Sequence, residues 1–176
     1  MTPSTLIRPA EGEYLPYYGR YIALVPDGDI LDILAGQRAA ALDLLRGLPE
    51  AKGDFQYAPD KWTVKELVGH VTDAERIFAY RALRFGRNDV TPLAGFEEND
   101  YVRDASFGDY PLADLADEFG AVREATIHLF KHLGGVAPMR RGPANGVEIS
   151  ARALAYIIAG HELHHLNVLR TRYLNA

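Results

Sequence analysis

Two histidines one helical turn apart stand near the end of the chain, at His161 and His165. In an α-helix, residues four apart project only about 40° from each other. Measured from Leu154, the two rings project at roughly −20° and +20°, in the middle of the apolar stripe of their predicted helix. Buried imidazoles need partners for their ring nitrogens. A divalent metal ion would satisfy both rings at once, so the spacing favours a metal site.

A third ligand is available in an earlier predicted helix. His70 projects within about 60° of Leu67, on the flank of that helix's apolar face. If the two helices pack together, His70 completes a triangle of nitrogen ligands with His161 and His165. Three protein ligands leave positions open for water or substrate, as in catalytic metal sites. A lone histidine on an apolar face is more often a hydrogen-bonded core residue, and for His70 taken alone this interpretation stays open.

The other histidines project elsewhere. His128 and His132 are also four residues apart, but they project roughly 160° from Leu112, away from the apolar stripe of their helix. We therefore expect both of them to be exposed to solvent. His164 projects about 80° from the Leu154 direction, and we expect it beside the metal ligands or at an interface.

Two carboxylates near the histidines are candidate catalytic residues. Glu162 follows His161 directly, and Asp73 follows His70 by three residues. Either carboxylate could orient a ligand ring or transfer a proton. The acidic segment 96–101 is a further source of such groups. A solvated helix face is the alternative role for each carboxylate.

Residues 161–165, His-Glu-Leu-His-His, also match the H-E-x-x-H motif of zinc metalloproteases. In that interpretation Glu162 is the general base that activates metal-bound water. Only 11 residues follow His165, which leaves no room for the downstream ligand that such enzymes commonly use. No strand pattern is present to align a peptide substrate. We therefore expect a different kind of metal site.

Four helical segments are predicted to position these residues. In each, apolar residues recur at steps of three and four. Asp29 is a suitable N-cap for the first helix, and Thr63 with Glu66 forms a capping box at the start of the second. The predicted helices span about 29–48, 63–86, 111–133 and 150–174. Packing of their apolar faces predicts an all-α fold, a four-helix bundle.

The remaining segments are predicted to be irregular. Residues 1–28 contain four prolines and form an irregular N-terminal arm, and residues 29–176 form the single bundle domain. The connection at 87–110 is rich in Gly, Asp and Asn, and loops of this length tend to be functional. Residues 136–147 form a Pro- and Gly-containing loop. We expect the arm to be anchored on the bundle by its tyrosines, Tyr14, Tyr17, Tyr18 and Tyr21.

Composition narrows the function classes. The chain has 176 residues, of which 48% are apolar and 24% are charged, as in a soluble single-domain protein. The absence of cysteine excludes thiolate ligands and cysteine nucleophiles. A net charge of −5 disfavours nucleic acid as a partner. No long apolar run or secretory signal is recognisable, so we expect a cytoplasmic protein with no membrane partner.

Two segments resemble a known family. Residues 62–75, Trp-Thr-Val-Lys-Glu-Leu-Val-Gly-His-Val-Thr-Asp-Ala-Glu, are similar to the second-helix motif of the DinB-like (YfiT-like) metal-dependent enzymes. Residues 155–165, Ala-Tyr-Ile-Ile-Ala-Gly-His-Glu-Leu-His-His, resemble the last bundle helix of that family. The resemblance covers about residues 30–174. It implies a four-helix bundle of unusual connectivity, with His70, His161 and His165 as the metal ligands.

The resemblance also implies a range of functions. Zinc or nickel is the expected metal, and iron or manganese are further options. Family members of known reaction are often thiol-dependent: some are transferases that use low-molecular-weight thiols such as bacillithiol, and one is a mycothiol-dependent maleylpyruvate isomerase. We therefore expect a metal-dependent transferase or hydrolase that acts on a small molecule, with a thiol as partner, and a homodimer. The alternatives are a non-catalytic, metal-stabilised stress-response or binding protein, and a helical module without metal.

Overall fold

The computed structural model describes residues 6–174. A 3-10 turn at Pro16–Tyr18 leads into a short helix, α1. The bundle helices alternate with shorter elements, and a β-hairpin precedes the last helix. The elements are α1 (Gly19–Ile22), α2 (Ile30–Arg46), α3 (Val64–Gly86), α4 (Glu98–Asp104), α5 (Leu112–Lys131), β1 (Arg141–Ala144), β2 (Val147–Ser150) and α6 (Ala151–Val168), with a π-helical turn at Leu169–Leu174.

Side-chain caps fix where the long helices begin. The Asp29 carboxylate accepts a hydrogen bond from the backbone N–H of Leu31 at the start of α2. At the start of α3, Thr63 and Glu66 form the reciprocal capping box that the sequence predicts. Ser150 caps α6 through the N–H of Ala153. Each cap satisfies a backbone donor that has no partner within the helix.

Helices α2, α3, α5 and α6 form the four-helix bundle, which confirms the predicted all-α fold. Helix α2 packs against α5, and α3 packs against both α5 and α6. The core extends along the whole bundle: one apolar cluster surrounds Phe85, Leu154 and Ile157, and a second surrounds Leu67 and Phe119. None of the helices in residues 6–174 has the length and apolar character needed to span a membrane.

Three segments predicted to be irregular contain regular structure. Within the arm, residues 19–22 are helical, while residues 1–5 lie outside the described range. The 87–110 connection contains α4 and a 3-10 turn at Phe107–Asp109. Residues 136–147, predicted to be a loop, include β1 and the start of β2, which pair as an antiparallel hairpin.

The hairpin and the long connection are joined by backbone hydrogen bonds. The N–H of Leu93 donates to Pro143 O, and the N–H of Asn145 donates to Leu93 O, each at 2.9 Å. These bonds pair distant parts of the chain, so the local sequence pattern carries little sign of them. The pairing keeps this connection beside α3, where Arg81 Nη2 donates a hydrogen bond to Ala94 O.

A glycine directly precedes His70 on α3 and His161 on α6, the first histidines of the two helices that carry the candidate ligands. A Cβ at Gly160 would lie 2.0 Å from the backbone oxygen of Tyr21, so only glycine allows α1 to approach α6 this closely. A Cβ at Gly69 would lie 2.4 Å from the Phe107 ring. Both glycines therefore allow neighbouring segments to pack tightly next to the histidines.

Candidate metal centre

The Nε2 atoms of three histidines converge between α3 and α6. His161 Nε2 lies 3.2 Å from His70 Nε2 and 3.1 Å from His165 Nε2. One ring nitrogen from each of the three residues lies within 4.8 Å of the other two. The structure therefore brings together His70, His161 and His165, which we call the histidine triad.

The spacing of the triad suits a divalent metal ion. Metal–nitrogen bonds of about 2.0–2.1 Å place neighbouring nitrogen ligands roughly 2.8–3.4 Å apart in octahedral or tetrahedral geometry. Both short Nε2–Nε2 distances fall in that range. Without an ion, His161 Nε2 faces two other Nε2 atoms and can share a proton with only one of them at a time. A cation between the rings would satisfy all three lone pairs.

Burial keeps the triad in the protonation state that metals require. Burial lowers the pKa of His70 to about 4. Burial, followed by the nearby His70 ring, lowers the pKa of His165 to about 3. Burial also holds the pKa of His161 well below its usual value, with smaller contributions from His165 and His70. The imidazoles are therefore neutral at pH 7 and available as ligands.

Aromatic rings enclose the triad. The Trp62 ring lies 4.6 Å from the His70 ring, between centroids. The Phe78 and Tyr21 rings lie edge-on to His161, at 5.9 Å and 5.4 Å. These contacts fix the ring orientations and exclude bulk water from one side of the ligands.

Two cavities reach the triad from different sides. The first, of about 250 Å³, touches two residues of the triad, His70 and His161, and for that reason we call it the main cavity. Its other walls include Tyr18, Phe78, Arg81 and Phe96. The side cavity, of about 300 Å³, touches His164 and His165 together with Trp62 and Tyr173. Glu98, at the start of α4, lines both cavities. Burial raises the pKa of Glu98 above its usual value, and the neighbouring Glu97 adds to the shift.

Glu162 points away from the triad and into the bundle core. Its side chain is 1% exposed, and Oε2 lies 2.5 Å from Arg123 Nη1. Arg123 also donates two hydrogen bonds of 2.8 Å, through Nε and Nη2, to the two carboxylate oxygens of Glu75. We call Arg123, Glu75 and Glu162 the ion cluster. Glu162 is absent from the walls of both cavities, so its catalytic role remains a prediction without a contact to support it.

The other residues singled out from the sequence lie outside the histidine triad. Asp73 borders a separate surface cavity and contacts Arg76 at 3.1 Å, and its catalytic role likewise remains a prediction. His128 and His132 are exposed, as their facing predicts. His164 is half-buried, with its ring 5.0 Å from the His165 ring and 5.5 Å from Tyr21.

Several residues of the site were not identified from the sequence. Arg81 follows Phe78 by three residues on the same helix face, so a charge on an apolar stripe was a usable signal. Arg123 carries a similar signal, since it follows the core residue Phe119 by one turn. Glu98 belongs to the acidic segment 96–101 that the sequence marks as a candidate, but its position over the triad depends on tertiary contacts.

Comparison with known proteins agrees with the four-helix bundle fold. The DinB superfamily matches residues 33–169. Among solved structures, the chain resembles one described as "YfiT from Bacillus subtilis is a probable metal-dependent hydrolase with an unusual four-helix bundle topology". The TM-score is 0.67 at 14% sequence identity, covering 93% of this chain and 92% of the other. None of the curated proteins matches the chain.

Proposed function

Because the chain belongs to the DinB superfamily, we propose that it is a metal-dependent enzyme that acts on a small molecule. The observation that carries this proposal is the convergence of three neutral imidazoles beside two cavities, one that touches His70 and His161 and one that touches His165. The similar YfiT structure, described as a probable metal-dependent hydrolase, supports the same reaction class. A transferase that uses a low-molecular-weight thiol is the other form of the proposal.

In either form, His70, His161 and His165 would hold the ion. A bound divalent ion would lower the pKa of a coordinated thiol or water, and so supply a nucleophile at neutral pH. The histidine-only donor set suits zinc or nickel, since imidazole is a ligand that both metals accept. Iron or manganese would be weaker alternatives for the same three nitrogens.

The protein's own residues would prepare the substrate. The Tyr18, Phe78 and Phe96 rings give the main cavity apolar walls, which would exclude water and bind the uncharged part of a small molecule. Glu98 is the carboxylate best placed for proton transfer, because it lines both cavities that reach the triad. Glu98→Gln should therefore lower turnover without lowering metal content.

The test is turnover by zinc- or nickel-loaded protein purified without a polyhistidine tag. Two assays cover the two forms: hydrolysis of p-nitrophenyl acetate, and conjugation of cysteine to a bimane electrophile. His161→Ala should abolish metal-dependent turnover, as should a chelator, whereas His128→Ala, which removes an exposed histidine, should have no effect. Equal rates for wild type and His161→Ala in both assays would overturn the proposal.

The alternative function is a structural one, in which the metal ion links two helices and takes no part in catalysis. The ligands come from α3 and α6, so an ion would cross-link two bundle helices. This alternative predicts a large loss of melting temperature on chelation and no turnover in either assay. The two cavities at the triad favour the enzyme, since a purely structural site is usually closed by protein ligands.

A further inference from the structure

Arg81 stands apart from the other buried cations of the chain. Three cationic side chains are buried within residues 6–174: Lys65, Arg81 and Arg123. Lys65 contacts two carboxylates, at 2.8 and 3.2 Å, and Arg123 likewise contacts two. Arg81 is 3% exposed and has no carboxylate partner in the described part of the chain. Buried charges are normally paired, so an unpaired guanidinium needs an explanation.

The protein contacts of Arg81 leave much of its guanidinium unused. Its Nη2 donates to the backbone oxygen of Ala94 at 2.9 Å, and the hydroxyl of Tyr18 is its other polar neighbour. A guanidinium has five N–H groups in a planar fork. Since Arg81 forms part of the wall of the main cavity, its free donors are accessible to a molecule bound there.

Arg81 and the histidine triad belong to the same cavity. The guanidinium carbon lies 5.9 Å from the centre of the Phe78 ring, and that ring centre lies 5.9 Å from the centre of the His161 ring. The guanidinium carbon therefore lies no farther from the centre of the His161 ring than these two distances added together. A single small molecule in this cavity can therefore contact both the Arg81 guanidinium and the His161 ring.

We propose that Arg81 binds a carboxylate group of the substrate while the reactive end of the same molecule lies at the histidine triad. This inference rests on the proposed function, and it adds the substrate class: a small, monoanionic carboxylic acid. The planar fork of Arg81 matches a carboxylate, which accepts two parallel hydrogen bonds. The aromatic rings between the two ends would contact the apolar part of the molecule.

The surrounding charges favour a carboxylate over a phosphate group. Glu97 and Glu98 line the same cavity, near its opening, and both are exposed. Two acidic groups on the wall of the same cavity oppose a doubly charged phosphate more strongly than a singly charged carboxylate. The side-chain amide of Asn145, also at the cavity wall, offers a further neutral donor.

The first test uses probes that differ only at the anionic end. Calorimetry with zinc-loaded, untagged protein would compare ω-mercaptohexanoate with ω-mercaptohexanol, which has the same thiol but no charge. We expect the carboxylate to bind about tenfold more tightly or better. Arg81→Met should remove this preference and leave the affinity for the alcohol unchanged. Arg76→Met, which removes an arginine from the same helix outside both cavities, should retain it.

The second test does not depend on the metal. In metal-free protein, hexanoate should shift the Nε–H NMR signal of Arg81, and hexanol should not. If hexanoate shifts that signal while His161→Ala matches the wild type in both turnover assays, the proposed function fails and the anion site stands. If both thiols bind with equal affinity and hexanoate shifts nothing, the anion site is overturned and the proposed function stands.

The melting temperature of Arg81→Met distinguishes a role of Arg81 in binding from a role in holding the fold together. An unpaired buried charge lowers stability, so Arg81→Met should melt at the same temperature as the ligand-free wild type or higher. A structural role predicts a lower melting temperature. That result, together with a carboxylate preference that persists in Arg81→Met, would contradict the proposal.

Discussion

Two buried polar clusters lie back to back in the bundle, and they satisfy their polar groups in opposite ways. His161 and Glu162 are adjacent on α6 but point to different sides. His161 joins the histidine triad with its neighbours from α3 and α6, whereas Glu162 joins the ion cluster with Arg123 from α5. The ion cluster contains its own cation, and the triad contains only neutral ligands.

The two clusters differ in how their polar groups are satisfied: the charges of the ion cluster are paired within the protein, whereas the triad borders two cavities. Arg123 is fully buried, and it also contacts the side-chain oxygen of Gln37 at 3.3 Å. Burial lowers the pKa of Arg123, and the Glu75 and Glu162 charges more than reverse this. The ion cluster therefore holds α3, α5 and α6 together. The triad has no internal cation and borders two cavities, as the proposed metal-dependent function requires.

Removing the cation of the ion cluster should have the largest effect. Arg123→Met leaves Glu75 and Glu162 buried without a counter-charge, and breaking a buried pair in this way costs about 3–5 kcal/mol. Urea unfolding would measure the loss. The control is Arg38→Met, which removes the more exposed pair with Glu124 and a hydrogen bond to Gly120 O, and should cost about 1–2 kcal/mol. Equal losses for both variants would remove the contrast between a buried cluster and a surface pair.

Removing the metal should lower the free energy of unfolding, and this loss should depend on the histidine triad. With free zinc at 100 times its dissociation constant, bound metal stabilises the fold by about 2.7 kcal/mol, and a chelator should abolish this gain. In Arg38→Met the gain should persist, whereas in His161→Ala it should be absent. A chelator effect of equal size in His161→Ala would place the ion elsewhere.

Acid should destabilise the metal-free protein through the triad. The pKa values of His70 and His165 are lowered in the fold, to about 4 and about 3, so the unfolded state takes up their protons first. Stability is therefore full above the unfolded pKa of about 6.5 and declines as the pH falls toward the folded values. Between pH 6 and pH 5 the loss should be about 1 kcal/mol for each of these histidines. His70→Ala should have a shallower pH dependence, and an unchanged slope would contradict the assignment.

A further prediction concerns Gly160, the residue before His161 on α6. Gly160→Ala would force the α1 backbone at Tyr21 away from α6, and overpacking of this kind costs about 1–3 kcal/mol. Gly36→Ala, in the middle of α2 with open space around its Cα, should instead stabilise by up to about 1 kcal/mol. Thermal melts of both variants would measure the difference in sign. Stabilisation by Gly160→Ala would argue against the close contact with the arm.

Much of the fold and of the triad was predictable because both depend on local periodicity. The caps at Asp29 and Thr63 are short-range patterns, and the structure confirms both. The inward facing of His161 and His165 follows from helix geometry alone, as does the exposure of His128. The choice of His70 as the third candidate ligand needed the additional assumption that its helix packs against the last one. The structure confirms that the two helices pack together.

The parts that were missed depend on contacts between distant segments. The position of Glu98 over the triad depends on the pairing of Leu93 with the hairpin, which joins residues about fifty positions apart. Arg123 occupies a core position by spacing, but its burial depends on carboxylate partners on α3 and α6 that are distant in the sequence. Charged residues on an apolar stripe are thus the signal to look for in related chains.

Metal content per chain is the most direct test of the central claim. Protein expressed without a polyhistidine tag, dialysed and measured by inductively coupled plasma mass spectrometry should carry one divalent ion per chain. His161→Ala should carry none, and Arg38→Met should match the wild type. A wild-type protein without bound metal after incubation with zinc and nickel, or equal metal in His161→Ala, would contradict the assignment of the histidine triad as a metal centre.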